Sequence, residues 1–348
     1  MRVLLTGGAG FIGSHVALLL LENGHDVVIL DSFVNSSFNV INAIKIYLDN
    51  QSIINNLDTF NGDIRDKELL SKIFNDYKKI SKPIETVIHL AGLKSVSESV
   101  TQPLHYWDVN VCGTLNLLET MSENDCFSIV FSSSATIYGI TNSVPINEDH
   151  NILPINPYGK TKAAIENMLF DSYRSNLNCW KICSLRYFNP VGAHPSGFIG
   201  EDPIGVPNNL FPYISQVAIG RRNFLNVFGD DWDTFDGSGV RDYIHIMDLA
   251  DGHVKAIDYL SSEDSCYEVI NLGSGKGYSV FQIISEFELA TGCKIPFLIK
   301  SRREGDVAKC YADISKANKI LDWRPKRSLR QICIDVWNWQ RKNPQGYV

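Results

Sequence analysis

The stretch that decides the fold is Gly7-Gly8-Ala9-Gly10-Phe11-Ile12-Gly13. It follows a short apolar segment, Arg2–Thr6, that is typical of a buried strand, and it opens a helical pattern over residues 11–23. Backbone N–H groups at such a strand-to-helix turn, together with the positive end of the helix, attract a pyrophosphate. The Gly-x-x-Gly-x-x-Gly spacing differs from the commoner Gly-x-Gly-x-x-Gly form. The stretch therefore predicts a dinucleotide-binding turn after the first strand of a parallel sheet.

An acidic residue stands where this kind of site requires one. The second predicted strand, Asp26–Asp31, ends at Asp31. A carboxylate there can accept hydrogen bonds from both hydroxyls of an adenosine ribose, and it repels a 2′-phosphate. No arginine follows immediately to bind such a phosphate, so the sequence favours NAD over NADP. The alternative is a glycine turn required for packing, with an incidental aspartate beside it.

The first half of the chain alternates strand-like and helix-like segments. Further strand patterns, and the helical patterns between and after them, cover residues 86–90, 110–122, 127–132, 158–175 and 180–187. Alternation of this kind predicts an α/β fold with a doubly wound parallel sheet of the Rossmann type.

The second half of the chain has a different character. From about Asn189 onward glycine and proline become frequent and the regular alternation is lost. Such segments are typical of a loop-rich lobe that closes over a ligand. We expect an NAD-binding domain over residues 1–188. A smaller C-terminal substrate lobe should occupy mainly residues 189–348, with some segments returning to the first domain.

Charge and cysteine usage exclude several classes of protein. The formal net charge is -7 and no basic run stands out, which argues against nucleic acid as a partner. No apolar run reaches transmembrane length, and the N-terminus starts with a strand-like segment rather than a signal peptide. The eight cysteines occur singly, and the eight histidines show no metal-ligand spacing. We expect a soluble cytoplasmic protein without a metal, a membrane or a nucleic acid among its ligands.

A tyrosine, a lysine and a serine form the candidate catalytic group. Tyr158 and Lys162 lie one turn apart in the predicted helix, and Ser134 precedes them. A free tyrosine has a pKa near ~10, so it is hardly ionised at neutral pH. An ammonium on the same helical face favours the phenolate by direct attraction. A Tyr-x-x-x-Lys pair by itself is usually an ordinary exposed pair, and the surrounding motifs are what make this one a candidate base.

These motifs together resemble the extended short-chain dehydrogenase/reductase family, and within it the epimerases that act on UDP-hexoses. The similarity runs almost from end to end of the chain. It includes residues 6–15, 62–65, 89–94, 132–139, 185–195, 239–245, 302–306 and 337–347. Several of these segments lie in the loop-rich half, where an NAD-binding fold alone imposes no such sequence.

The resemblance implies a residue-by-residue assignment of the site. The implied catalytic residues are Ser134, Tyr158 and Lys162. The implied cofactor-binding residues are Gly7, Gly10, Phe11, Ile12, Gly13, Asp31, Asn35, Ser36, Asp63, Ile64, Leu90, Ala91, Gly92, Lys94 and Phe188. The implied UDP-sugar contacts are Asn189, Asn209, Asn226, Val227, Phe228, Arg241, Arg303, Asp306 and Cys310. A diphosphate requires guanidinium groups, which independently favours a binding role for the two arginines, although single arginines are more often surface residues.

The resemblance also implies a reaction, namely NAD-dependent C4 epimerisation of UDP-glucose and UDP-galactose through a transient 4-keto sugar. A nucleotide-sugar 4,6-dehydratase is an alternative, but it needs carboxyl groups beside the catalytic hydroxyl residue. Here Ala135 and Thr136 follow Ser134. A non-catalytic NAD-binding regulator is the other alternative, and it would be expected to lose Tyr158 or Lys162. Family members are commonly homodimers joined through helices of the nucleotide domain.

One position bears on the choice of sugar. Some epimerases of this family carry a bulky tyrosine at the edge of the sugar pocket, where this chain has Cys310. A cysteine leaves room for an N-acetyl group at C2. We therefore expect that the enzyme also interconverts UDP-N-acetylglucosamine and UDP-N-acetylgalactosamine. The alternative is that Cys310 is merely a small buried residue.

Overall fold

The computed structural model describes residues 1–52, 56–141, 143–207, 209–303 and 305–347, so Glu304 of the 302–306 motif lies outside the described residues. The strands are β1 (Arg2–Thr6), β2 (Asp26–Asp31), β3 (Leu57–Asn61), β4 (Thr86–His89), β5 (Ser128–Ser134), β6 (Lys181–Tyr187), β7 (Asn189–Val191), β8 (Leu225–Phe228), β9 (Val240–His245), β10 (Cys266–Leu272), β11 (Gly277–Ser279), β12 (Phe297–Lys300) and β13 (Lys309–Cys310).

The helices follow the same order along the chain. They are α1 (Phe11–Glu22), α2 (Asn39–Asn50), α3 (Lys67–Lys79), α4 (Val96–Thr101), α5 (Pro103–Tyr106), α6 (Gly113–Glu123), α7 (Pro157–Ser175), α8 (Leu210–Ala218), α9 (Ile246–Ser262), α10 (Val280–Thr291), α11 (Ser315–Leu321) and α12 (Leu329–Lys342). A π-helix, Trp107–Cys112, joins α5 to α6, and a 3₁₀ helix, Ala135–Tyr138, follows β5. No helix among the described residues is long and apolar enough to cross a membrane.

A seven-stranded sheet forms the centre of the molecule, in the order β10-β6-β5-β4-β1-β2-β3, and all its pairings are parallel. One apolar cluster, including α1, α2 and α9, covers one face, and a second, including α3, α6 and α7, covers the other. The predicted α/β fold with a doubly wound Rossmann-type sheet is confirmed. Because all seven strands run in one direction, their carboxyl ends meet at a single edge.

Several predicted boundaries shift in the structure. Strands β1 and β2 have the predicted bounds. The predicted helix over residues 110–122 begins earlier, as the π-helix Trp107–Cys112, before α6 continues it. Strand β5 extends to Ser134, two residues beyond the predicted end, so the candidate catalytic serine is the last residue of a central strand.

One edge of the main sheet comes from late in the chain. Strand β10 pairs with β6 from Cys266↔Lys181 to Leu272↔Tyr187. The helix before it, α9, packs against α1, and their apolar residues belong to the same cluster. The sequence patterns did not identify this strand, because it follows a long loop-rich stretch.

The remaining elements form the C-terminal lobe. Strand β9 pairs with β7, β11 and β13, and β8 pairs with β12. Helices α8, α10 and α12 enclose a third apolar cluster with these strands, including Phe211, Phe287 and Val336. The chain enters this lobe from the carboxyl end of β6, the edge of the main sheet where the candidate site residues collect.

Candidate active site

Three consecutive serines at the end of β5 bind three residues on one face of α7. The Ser134 hydroxyl is hydrogen-bonded to the side chain of Tyr158. Lys162 Nζ donates to the backbone oxygen of Ser132 at 2.7 Å. Ser133 Oγ donates to Glu166 Oε1 at 2.5 Å. Successive helical turns present the tyrosine, the lysine and the glutamate on one face, so a single strand fixes all three. The structure thus brings the predicted trio together.

The start of α7 places the tyrosine at the end of the strand. Asn156 is the N-cap residue, and its side chain accepts the backbone N–H of Gly159 at 2.8 Å. Pro157 occupies the first turn, where a missing N–H has no cost. Cap and proline together set the first turn of the helix, and Tyr158 is its second residue.

Burial opposes the charged forms of both Tyr158 and Lys162. It raises the pKa of the Tyr158 phenol, and the hydrogen bond with Ser134 counteracts that rise. It lowers the pKa of Lys162 to about 7, against the attraction of Glu166. Lys162 Nζ lies 5.9 Å from the centroid of the Tyr158 ring. A positively charged Lys162 would attract a Tyr158 phenolate, so the charged form of each residue favours the charged form of the other. The spacing of the two residues in the sequence indicates only their attraction, not this desolvation.

Glu166 belongs to a buried ion pair that was not predicted from the sequence. Arg186 of β6 donates through Nε to Glu166 Oε1 at 3.0 Å and through Nη2 to Oε2 at 2.7 Å. Arg186 Nη1 also donates to the hydroxyl of Tyr138 at 2.9 Å. A carboxylate one helical turn after Lys162 was a usable signal, because residues at that spacing share a face.

Asn110, a second residue that was not predicted, ties the loop after β4 to α7. Its Nδ2 donates to the backbone oxygen of Leu93 and to Thr161 Oγ1, both at 3.1 Å, and its Oδ1 accepts the N–H of Leu93 at 2.8 Å. Asn110 is buried and lies inside the π-helix, a conformation that is frequent at functional sites. The sequence alone gives little reason to assign Asn110 to the site, because an isolated asparagine in a helical pattern is usually exposed.

The glycine turn after β1 packs so closely against neighbouring backbone that side chains would not fit at Gly7 and Gly13. Gly7 has a φ of +71°, and a Cβ there would lie 2.6 Å from the backbone N of Ala91. A Cβ on Gly13 would lie 2.3 Å from the oxygen of Gly7. The N-cap residue Gly10 gives α1 no side-chain cap, and its first turn has no acidic residue. The helix N-terminus therefore remains open to an anion from outside, which fits a pyrophosphate.

Asp31 is held by this turn and by the loop after β2. Its Oδ2 accepts the N–H of Ala9, and its Oδ1 accepts the N–H of Phe33 and the hydroxyl of Ser36, each at 2.9 Å. Its carboxylate is thereby fixed beside the glycine turn. A fixed carboxylate at the end of the second strand fits a dinucleotide with a free ribose diol.

The other candidate cofactor residues follow successive strands of the main sheet. Asn35 is exposed in the loop after β2. Asp63 follows β3, and the Arg65 guanidinium lowers the pKa of that carboxyl. The remaining members of this group adjoin β1, β3, β4 and β6; they are Gly10, Phe11, Ile12, Gly13, Ile64, Leu90, Ala91, Gly92, Lys94 and Phe188. The structure therefore brings the group to one edge of the sheet.

Most candidate UDP-sugar residues lie on the strands of the C-terminal lobe. Arg241 of β9 stands opposite Cys310 of β13, and its Nη2 lies 3.5 Å from Asp306 Oδ1. The guanidinium carbon of Arg303 lies 3.7 Å from the centroid of the Phe228 ring. Burial lowers the pKa of Arg303, and Asp306 opposes this. Asn189, Asn226 and Val227 lie on β7 and β8.

Two kinds of polar group here show features typical of a binding site. The Oδ1 atom of Asn226 is buried and has no hydrogen-bond partner within the described part of the chain. The guanidinium groups of Arg241 and Arg303 both lie near the carboxylate of Asp306 and share it. A ligand with negative charge and hydrogen-bond donors could bind both the guanidinium groups and the unpaired amide oxygen.

Asn209 is separate from the arginines. It is the N-cap residue of α8, but its side chain makes no capping bond. Instead its Nδ2 donates to Glu201 Oε1 at 3.0 Å, and that same oxygen lies 4.0 Å from Lys94 Nζ. Glu201, which was not predicted from the sequence, thus connects a candidate substrate residue with a candidate cofactor residue.

Cys310 lies between these groups. Its side chain packs against an apolar cluster that includes Phe188 and Ile146, and Val144 packs against the same cluster. Burial raises the pKa of the Cys310 thiol to about 11, so it is uncharged at neutral pH. A small neutral side chain therefore occupies the wall beside Arg241.

Comparison with known proteins identifies a group of close relatives. The family model described as GDP-mannose 4,6 dehydratase matches residues 4–336. The chain is 50% identical to UDP-glucose 4-epimerase 2 of Arabidopsis thaliana, an alignment that covers 99% of this chain and 96% of that protein.

Solved structures agree with this result. The UDP-glucose 4-epimerase of Stenotrophomonas maltophila, with bound NAD and formylated UDP-arabinopyranose, superposes with a TM-score of 0.93 at 43% identity over 99% of each chain. The UDP-glucose 4-epimerase of Bifidobacterium longum, in complex with NAD+ and UDP, gives a TM-score of 0.92 at 45% identity. That superposition covers 99% of this chain and 100% of the other.

Proposed function

We infer the activity of this chain from its family, since it belongs to the UDP-glucose 4-epimerases of the extended short-chain dehydrogenase/reductase family. It catalyses the NAD-dependent C4 epimerisation of UDP-hexoses, interconverting UDP-glucose and UDP-galactose. The observation that carries this conclusion is the placement of Tyr158 between Ser134 and Lys162, at the sheet edge shared with Asp31. Acid–base groups and a dinucleotide site therefore meet in one crevice.

We propose that the glycine turn, Asp31 and the residues after β2, β3, β4 and β6 hold the cofactor. When bound, NAD supplies the reversible hydride acceptor for C4 of the sugar. The open N-terminus of α1 suits its pyrophosphate, and the Asp31 carboxylate suits its adenosine ribose. Phe188 follows β6 at the same edge, and Lys162 lies on α7, which packs against β5 and β6.

Tyr158 is the proposed acid–base catalyst. Its phenolate takes the proton from the sugar 4-hydroxyl and later returns it. The Lys162 ammonium stabilises the phenolate, and the Ser134 hydroxyl bridges the tyrosine and the reacting oxygen. The resulting 4-keto sugar must turn over in the pocket so that its opposite face is reduced.

Residues of the C-terminal lobe hold the nucleotide while the sugar turns. Arg241 and Arg303 can bind the diphosphate, since guanidinium groups match phosphate oxygens. The orphaned Oδ1 of Asn226 can accept a hydrogen bond from the ligand. Asn209 leaves the N-terminus of α8 uncapped, which suits a negative group. We assign Asn189, Val227, Phe228 and Asp306 to the same site. Firm nucleotide contacts with a looser sugar cavity are what this reaction requires.

These assignments place the cofactor residues mainly in the first half of the chain and the UDP-sugar residues in the second half. We propose that residues 1–188 form the NAD-binding domain and that residues 189–348 form mainly the UDP-sugar lobe. Strand β10 and helix α9 support the proposed return of later segments to the first domain. We also propose a cytoplasmic location, supported by the free state of all eight cysteines.

We propose that the protein is a homodimer joined through the nucleotide domain. Val100, Leu104, Trp107 and Leu115 are exposed apolar side chains on the successive helical segments from α4 to α6. The side chain of Leu104 is 81% exposed. Exposed apolar side chains on neighbouring helical segments are typical of a protein–protein interface.

We further propose that the sugar cavity accepts N-acetylated hexosamines. Cys310 is small and uncharged, and it stands in the strand pair beside Arg241. A larger ring at this position would fill the space next to the diphosphate site. UDP-N-acetylglucosamine and UDP-N-acetylgalactosamine are the corresponding substrates.

The dehydratase alternative is disfavoured, although the matching family model bears a dehydratase's name. Elimination of water needs an additional acid and base beside the catalytic hydroxyl. In this chain the neighbouring Thr136 donates through Oγ1 to Ser134 Oγ at 2.9 Å, and Ala135 lies between them. No carboxylate stands at these two positions.

Incubation of the purified protein with UDP-galactose tests the reaction. The expected product is UDP-glucose, formed without a change in mass and identified by chromatography. Tyr158→Phe is the matched control, because it removes only the hydroxyl. A product lighter by one water would support the dehydratase, and an NAD-loaded protein that converts neither hexose would contradict catalysis.

A further inference from the structure

Glu201 is a nearly buried carboxylate between the two lobes. Its side chain is 10% exposed, and it lies on the loop that leads from β7 to α8. Its Oε1 accepts a hydrogen bond from Asn209 Nδ2 at 3.0 Å and lies 4.0 Å from Lys94 Nζ. Burial raises the pKa of this carboxyl, while Lys94 and Asn209 oppose the rise.

Stability does not explain this arrangement. The side chain of Lys94 is 63% exposed, and an ion pair of this length at a solvated lysine contributes little to folding. Removing a carboxylate from water is nevertheless costly. Carboxylates retained at such a cost are concentrated at functional sites. Both partners of Glu201 are proposed ligand-binding residues, one from each lobe.

The loop around Glu201 is fastened from behind by the end of the chain. The backbone oxygen of Glu201 accepts Trp339 Nε1 at 3.3 Å. The N–H of Gly200 donates to the hydroxyl of Tyr347 at 3.0 Å, and the N–H of Tyr347 donates to Asp202 Oδ2 at 2.8 Å. The carboxylate is therefore the fixed member of the pair, and the long exposed lysine side chain is the adjustable one.

Lys94 extends from a segment that is fixed to the catalytic helix. Asn110 holds both backbone groups of the preceding residue, Leu93, and also bonds Thr161 of α7. The base of the lysine is therefore set against the helix that carries Tyr158 and Lys162. Its ammonium group reaches across the cleft to the opposite lobe.

We propose that Glu201 is a positioning residue that holds the Lys94 ammonium across the cleft at the reacting end of the site, an inference that rests on the proposed epimerase function. The carboxylate acts through Lys94 and touches neither the sugar nor the cofactor itself. Its bond with Asn209 couples the lysine to the start of α8. The position of the Lys94 ammonium is thereby set by residues of both lobes.

The test is a double-mutant cycle on epimerisation of UDP-galactose by the NAD-loaded full-length protein. Glu201→Gln keeps the size and the acceptor for Asn209 but removes the charge. We expect it to lower kcat about tenfold, with little change in KM, because a misplaced group slows the chemical step more than it weakens binding. Lys94→Met should cause a similar loss, and the double variant should lose no more than Lys94→Met alone.

A charge control, a folding check and a substitute variant show whether the charge of Glu201 is the cause of the loss. Asp264→Asn removes an exposed carboxylate elsewhere and should leave kcat unchanged. Circular dichroism and thermal unfolding establish that each variant is folded. If Glu201→Gln does not fold, Glu201→Asp replaces it in the cycle, with a smaller loss of kcat that again disappears in the Lys94→Met background.

The outcomes are distinguishable. Wild-type kcat in Glu201→Gln, or losses that multiply in the double variant, would overturn the positioning role while the epimerase function stands. A KM increase without a change in kcat would also overturn it, since it would assign Glu201 to substrate binding through Asn209. A wild-type protein without epimerase activity would contradict the proposed function itself.

Discussion

Lys162 and Ser132 are joined by a hydrogen bond from the lysine Nζ to the serine backbone oxygen, 2.7 Å long and wholly buried. The bond holds the ammonium group below the Tyr158 ring and against the Phe131 ring, 4.9 Å from its centroid. A cation in this position is useful for catalysis but unfavourable for folding. The two requirements can be separated by experiment.

Lys162→Met should abolish most activity yet stabilise the fold at acidic pH. Below pH 7 the lysine is charged in both the folded and the unfolded chain, so the fold carries the full cost of burial. Above its folded pKa of about 7 it is neutral only in the folded protein, and the cost declines. We expect a gain of about 1 kcal/mol at pH 6 that shrinks toward pH 9.

Urea unfolding at pH 6 and pH 9, with equal cofactor content, measures this difference. The epimerase rate should fall by about 10³-fold, the range expected for loss of acid–base assistance. Lys160→Met, two residues earlier on the exposed side of α7, is the control and should change neither quantity. A Lys162→Met protein that is less stable than wild type at pH 6 would contradict this expectation.

Glu166→Gln should destabilise the protein strongly. It leaves the buried guanidinium of Arg186 without its carboxylate, which costs about 3–5 kcal/mol. The double variant Glu166→Met/Arg186→Met should recover most of the loss, because no charge then remains unpaired. Chemical denaturation provides the values, with Glu119→Gln as an exposed control that changes little. Equal losses in the single and double variants would show that the pair's charge balance is not the cause.

Asp31→Ala should reduce cofactor retention. The change removes the acceptor of three hydrogen bonds and leaves the N–H groups of Ala9 and Phe33 without their partner. We expect NAD affinity to fall by at least about tenfold, since hydrogen bonds to a charged group are the stronger kind. NAD released from the denatured protein can be quantified by absorbance, with Ser32→Ala as control. An unchanged NAD content would remove Asp31 from the cofactor site.

Cys310→Tyr should narrow the range of sugars. We expect kcat/KM for UDP-N-acetylgalactosamine to fall by about 10²-fold because a ring fills the space for the N-acetyl group. UDP-galactose should be affected only slightly. Cys310→Ala, which keeps the space, should retain both activities. Undiminished turnover of the N-acetylated sugar by Cys310→Tyr would exclude steric control at this position.

Leu104→Glu should produce a monomer. A charge among the exposed apolar side chains between Val100 and Leu115 would disfavour their burial between subunits. Light scattering after gel filtration gives the mass, and Leu289→Glu, at an exposed position of α10, serves as the matched control. A monomeric wild-type protein, or a dimeric Leu104→Glu variant, would place the interface elsewhere or eliminate it.

The parts of the fold that could be predicted from sequence are those determined by neighbours along the chain. Strands β1 and β2 and the glycine turn between β1 and α1 form a local pattern of apolar runs and punctuating glycines. Strand β3 was missed because its residues Leu57–Asn61 are half polar and lie at a sheet edge. Strand β10 was not predicted because it follows a long loop-rich stretch, far in the sequence from its partner β6.

The same distinction applies to the candidate site. Tyr158 and Lys162 share one helix, so their spacing alone predicted that they share a face. Glu201 and Lys94 belong to different lobes, and only the packing of one lobe on the other brings them together. Desolvation cannot be read from the sequence either. The lowering of the Lys162 pKa therefore follows only from its burial in the structure.

The position of β10 at the edge of the main sheet has a consequence for how the protein is made. During synthesis the ribosome must release residues up to Leu272 before the seventh strand can join, and α9 must emerge before the face of α1 is covered. Until then the nascent chain has an unpaired strand edge at β6, which is prone to aggregation. Residues 1–188 alone would therefore lack both the last strand of the main sheet and the helix that packs against α1.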